Sequence, residues 1–173
     1  MKLPTIIAGL VAGVVATGAS AQSEIWRTMP DGFKIAYSSV TDGCFAELVT
    51  DQGYVVHMGT ESGMFSGDRS RSSGFLAVYT PENLGADHEG SESQVDVLVN
   101  GKDYPMTAIG TNSSGYSGGY VLGERNTLAE DILKMRTMTI MTPANRITIN
   151  AESLDIPAAL EQVRACQVAQ QQG

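Results

Sequence analysis

Apolar and polar residues alternate with a period of two along most of this chain, the spacing that puts one side-chain set on each face of a β-strand. Phe33, Ile35 and Tyr37 alternate within 32–37, and Phe45–Val49 and Tyr54–Met58 follow across the turn Asp51-Gln52-Gly53. A further run, Gly74–Tyr79, is stopped by Pro81. Val95, Val97 and Val99 alternate with Asp96 and Leu98, Asn100-Gly101 turns the chain, and a return strand runs from Lys102 through Tyr104 and Met106 to Ala108. Asn-Gly accepts the two positive-φ positions of a type I′ turn, so this segment predicts a two-residue hairpin. Tyr120–Leu122 reads as a short strand, and Thr137–Met141 and Arg146–Ala151 as a hairpin around 142–145.

Two stretches change period. Thr127-Leu128-Ala129-Glu130 has capping-box spacing, and Leu128, Ile132 and Met135 share one helical face. This helix is too short to stand by propensity and must be held by packing. A second helix starts near Asp155, an N-cap with Pro157 in the first turn, and buries Ile156, Leu160, Val163 and Cys166. About eight strands with two short helices near the C-terminus predict a mainly β fold. The expected architecture is a single antiparallel β-sandwich or partly open barrel.

The N-terminus has the three parts of an export signal. Lys2 is basic, Ile6–Ala16 is apolar, and Ala19-Ser20-Ala21 offers small residues to a signal peptidase cutting between Ala21 and Gln22. The apolar run is shorter than the roughly 20 residues that span a bilayer, and no later run approaches that length. Residues 1–21 are therefore read as a signal peptide and 22–173 as one β-rich domain, soluble, monomeric and exported. The full chain carries a formal charge of -8, and loss of Lys2 takes it to -9. Such acidity repels phosphate backbones and excludes nucleic-acid binding.

Both cysteines, Cys44 and Cys166, fall in the exported part, where thiols oxidise. Their wide separation argues against a C-x-x-C redox or metal site and for a structural disulfide. Closing so long a loop stabilises by roughly 4–5 kcal/mol on chain-entropy grounds.

The last third carries a pattern of its own. Leu128–Arg136, Met138-Thr139-Ile140, Ile147–Asn150, and Leu154-Asp155-Ile156-Pro157-Ala158-Ala159-Leu160 up to Cys166-Gln167 follow one another. This resembles the C-terminal portion of the invasion-associated locus B family and related small exported proteins of alphaproteobacteria. The resemblance implies a β-rich exported protein with an envelope or host-contact role, and it brings no catalytic residues.

Gly115-Tyr116-Ser117-Gly118-Gly119 has the form of a hydrolase nucleophile elbow, G-x-S-x-G, and needs a histidine and a carboxylate beside Ser117. His57 lies in a strand pattern and His88 in an acidic loop, and the polar run 111–114 replaces the apolar strand an elbow requires, so the string reads as a Gly/Ser loop entering a strand. Asp87-His88-Glu89 with Glu92 offers oxygen and imidazole ligands but fits no EF-hand spacing and reads as a solvated loop. Asp68-Arg69-Ser70-Arg71 reads as a glycine-flanked hairpin tip. Met135, Met138 and Met141 recur at threes as thioether ligands for copper would, yet Met138 and Met141 face opposite sides of a strand, so core filling is expected. Trp26 and Phe33 are expected in the core. Asn112-Ser113-Ser114 matches a glycosylation sequon, but a bacterial-type export signal leaves it unused.

The expectation is thus an exported periplasmic or cell-surface binding module, non-enzymatic, with no catalytic residue, no cofactor and no metal. It would meet a protein or envelope component through the polar loops Met64–Ser73 and Glu82–Glu92. The alternatives are a small secreted serine hydrolase using Ser117, or an inhibitor of an exported protease.

Overall fold

A computed structural model describes residues 23–39, 42–59, 74–82, 84, 91–109, 116–122, 127–142 and 146–172. In chain order the elements are β1 (Ser23–Thr28), β2 (Lys34–Ser38), β3 (Gly43–Val49), β4 (Val55–Gly59), β5 (Phe75–Thr80), β6 (Glu92–Val99), β7 (Lys102–Ile109), β8 (Ser117–Leu122), α1 (Thr127–Leu133), β9 (Thr137–Met141), β10 (Arg146–Asn150) and α2 (Ile156–Gln171). The ten strands form one sheet in the order β1-β2-β3-β4-β5-β8-β7-β6-β9-β10, antiparallel at every junction. The mainly β, antiparallel domain with two late helices is what the pattern predicts. The described strands make one continuous open sheet that is not closed into a barrel, and the final helix, Ile156–Gln171, is longer than a short cap.

Local chemistry sets the turns. Val99 pairs directly with Lys102, and between them Asn100 (φ 51°) and Gly101 (φ 82°) take left-handed backbone, the type I′ geometry whose twist matches the flanking strands. The β3–β4 turn closes with Gly53 N–H donating to Thr50 O at 2.9 Å, as the Asp51-Gln52-Gly53 signal predicts.

The main core lies on one face of the sheet, and a smaller buried cluster of Ala36, Phe45 and Phe75 lies on the other. Ile35, Ala46, Met58, Leu76 and Val121 are paired neighbours across five strands and buried at 0–2% exposure. They join Val97, Met106, Ile140 and Ile149 from the far strands, and Leu128 and Ile132 of α1, in one contiguous cluster. Helix α2 lies across β2, β3 and β4. Its Ile156, Leu160, Val163 and Cys166 are all buried, the stripe read from the sequence. Asp155 caps it, Oδ1 accepting from Ala158 N–H at 3.1 Å.

Cys44, at the start of β3, is disulfide-bonded to Cys166 in α2, with Cα atoms 6.1 Å apart across a separation of 122 residues. Both are buried, and Gln167 Oε1 accepts from the Cys44 N–H at 2.9 Å, so helix and strand are joined covalently and by a buried hydrogen bond.

Two expectations are corrected. Strand β1 carries no apolar–polar alternation, so the sequence pattern does not predict it. Trp26, expected in the core, lies on it at 38% exposure beside Ile25 at 58%. The ladder with β2 shifts register between Ile25 and Arg27, a bulge that takes Trp26 out of the pairing and turns it from the core. Phe33, by contrast, is fully buried.

Candidate functional site

Ser117 is the residue a hydrolase reading depends on. It opens β8 rather than preceding a strand, and it pairs with Thr80 of β5. Side chains alternate along β5 and β8, so Thr80 and Ser117 share the core face with Val78 and Val121. Ser117 is fully buried, and its Oγ accepts from the Leu84 N–H at 3.3 Å. His57 stands between core-facing Val56 and Met58 on β4 and so points from the opposite face. The sheet separates hydroxyl from imidazole, and the two form no nucleophile–base pair. His88 lies outside the described residues.

The outer face holds a polar–aromatic cluster that the sequence did not signal. Glu47 on β3 pairs across the ladder with His57 on β4 and with Lys34 on β2. His57 Nε2 lies 3.0 Å from Glu47 Oε2, and Lys34 Nζ 3.6 Å from Glu47 Oε1. The hydrogen bond with His57 holds the Glu47 carboxyl below the usual carboxylate range, Lys34 adding to this while burial opposes it. The imidazole packs 4.5 Å from the Phe45 ring and 5.2 Å from that of Tyr79, whose hydroxyl pKa burial pushes up. The side chains of His57 and Glu47 are 13% and 18% exposed, so the pair is partly desolvated. Three strands must align to bring these residues together, which local spacing does not announce.

A second cluster ties the β6–β7 hairpin to α1. Lys102 Nζ lies 2.6 Å from Asp131 Oδ2, and the Tyr104 hydroxyl donates to the same oxygen. The Lys102 ammonium is pushed up to about 12, chiefly by its hydrogen bond to Asp131, and Asp131 is held below the usual range by the same bond.

The sheet's ends differ. At one end β10 alternates exposed Arg146, Thr148 and Asn150 with buried Ile147 and Ile149. At the other, β1 pairs with β2 alone among the described strands, and five of its six residues are exposed. Ile25 and Trp26 are adjacent there. Arg27 lies with its guanidinium 5.8 Å from the Trp26 ring centroid and donates to Gln162 Oε1 of α2. A bulged edge strand thus presents an apolar pair beside an arginine that the terminal helix holds in place.

Among the described residues no group of three or more His, Cys, Asp or Glu side chains is placed to hold a metal. Met135 and Met138 are buried while Met141 is exposed, so the three form no thioether set. Glu92 is an exposed residue at the start of β6. The residues expected to form a signal peptide and its cleavage site, Ala21 and Gln22 included, lie outside the described residues, as do Asp68–Arg71, Asp87–Glu89, Asn112 and all of Met64–Ser73. So does most of the loop Glu82–Glu92, although Glu82 itself accepts a hydrogen bond from Tyr54 Oη at 3.0 Å. No helix among the described residues is long and apolar enough to cross a membrane. Comparisons with protein-family models, with curated proteins and with solved structures find no match to this chain.

Proposed function

We propose that this chain is an exported, non-enzymatic binding module of the bacterial periplasm or cell surface that meets a protein or envelope component through strand β1. The observation that carries this reading is the Ile25–Trp26–Arg27 run on the edge strand, exposed and braced from α2. Tryptophan and arginine are the residue types that most often anchor protein interfaces, because a large ring or planar guanidinium gains much contact for little lost freedom. The bulge at Trp26 interrupts the outer ladder, so recognition rests on these side chains more than on strand addition.

Export is supported by the leader-like start of the chain and by a disulfide compatible with an oxidising compartment. The resemblance of the last third to the invasion-associated locus B family points the same way. A serine hydrolase is not favoured, since Ser117 is buried with its oxygen engaged by a backbone N–H.

A photo-reactive phenylalanine at position 25, and another at Thr148 on the opposite edge, test the reading in intact cells. A covalent adduct from position 25 that Trp26→Ala abolishes, with none from 148, is the expected result. Absence of any adduct, or labelling of Ser117 by a fluorophosphonate that Ser117→Ala removes, would overturn it.

A further inference from the structure

We infer that Asn100 is a deamidation site gated by the fold, chemically reactive in the open chain and locked in the native one. Asn-Gly is the dipeptide in which a backbone nitrogen reaches the preceding side-chain amide with least hindrance, because Gly101 has no side chain to block the approach. In the reaction the deprotonated Gly101 nitrogen attacks Cγ of Asn100, the new N–C bond forms, and the Cγ–Nδ2 bond breaks with loss of ammonia. One water then opens the succinimide at either carbonyl, leaving aspartate or isoaspartate at position 100. Water is the only co-reactant, and nothing is oxidised or reduced.

The native side chain is engaged elsewhere. Asn100 Oδ1 accepts from the backbone N–H groups of Arg136 at 2.8 Å and Thr137 at 3.3 Å, while Nδ2 donates to Lys134 O at 2.8 Å. Its own backbone N–H donates to Thr137 O at 3.0 Å. Residues 134–137 are the junction between α1 and β9, so one amide holds the hairpin turn against the point where helix becomes strand. While these bonds stand, both ends of the side-chain amide are tied to the junction, and attack by the Gly101 nitrogen must wait for them to break.

The product does not fit the same place. A carboxylate keeps the two acceptor positions but turns a lone pair toward the Lys134 carbonyl, where a donor is required. Isoaspartate adds a backbone carbon to a two-residue turn whose register depends on its length. The modification therefore marks molecules whose β6–β7 hairpin has come away from α1, and it opposes their reclosure. The Lys102–Asp131–Tyr104 cluster guards the same junction from the side.

The test follows conversion at position 100 by peptide mapping and mass spectrometry in mildly alkaline buffer, in folded and urea-denatured protein. Conversion is expected at least about tenfold slower in the folded chain, since it must wait for local opening. Asp131→Ala should speed conversion in the folded protein several-fold while leaving the denatured rate unchanged. Asn100→Asp should melt below the parent or fail to fold, judged by circular dichroism. Equal rates in folded and denatured chains, or Asn100→Asp as stable as the parent, would overturn the inference.

Discussion

Replacing Cys44 and Cys166 together by alanine removes the tie between α2 and β3 without leaving a reactive thiol. The bond closes a loop of 122 residues, and chain-entropy reasoning assigns such a closure roughly 5 kcal/mol, acting on the unfolded chain. Both positions are almost wholly buried, so the lost sulfurs add a packing cost of about 1 kcal/mol. The helix keeps its buried Ile156, Leu160 and Val163, and the bond from Cys44 N–H to Gln167 needs no sulfur. The double variant is therefore expected to fold with α2 still docked, but with stability lowered by roughly 4–6 kcal/mol. With a urea slope of about 2 kcal/mol per molar, the midpoint should fall by about 2–3 M. Typical domains hold only about 5–15 kcal/mol, so the variant would stand near its margin. Urea titrations followed by far-ultraviolet circular dichroism measure the difference. A loss below about 1 kcal/mol would refute the argument, as would alkylation and mass analysis finding two free thiols in the untreated protein.

The Glu47 carboxyl, held below its usual range chiefly by His57, makes stability depend on pH in a definite direction. Its contribution is complete above the ordinary glutamate range and is lost as pH falls through that range to the lowered folded value. Glu47→Gln should accordingly flatten the acid limb of the melting-temperature profile, and an unchanged limb would remove Glu47 from the account. A Cβ at Gly118 would lie 2.6 Å from the Tyr79 ring, so Gly118→Ala should cost about 1–3 kcal/mol of overpacking in urea titrations. Leu160→Ala empties a buried site between α2 and the sheet and should cost about 2–5 kcal/mol by the same measurement, the loss growing with the cavity left.

Much of this protein is written in local spacing. Period-two runs, the Asn100-Gly101 turn and the α2 stripe each depend on near neighbours, and each lies where its pattern puts it. The Cys44–Cys166 pairing was legible for a different reason: the chain has only two cysteines, and the stripe that buries Cys166 turns it toward the sheet. The order of the strands in the sheet was not legible, because β8 returning to pair with β5 is a long-range event that no local run encodes. Strand β1 is not legible in the sequence because its edge position relieves it of any need to alternate, and its bulge carries Trp26 outward. Ser117 sits in a string shaped like a nucleophile elbow, yet pairing with Thr80 turns it to the core face while His57 points from the other. Glu47, His57 and Lys34 come together only because three strands align in register. Local periodicity decides which residues can share a face. Only the pairing of distant strands decides which faces meet, since a shift of one residue would send each of these side chains to the other side.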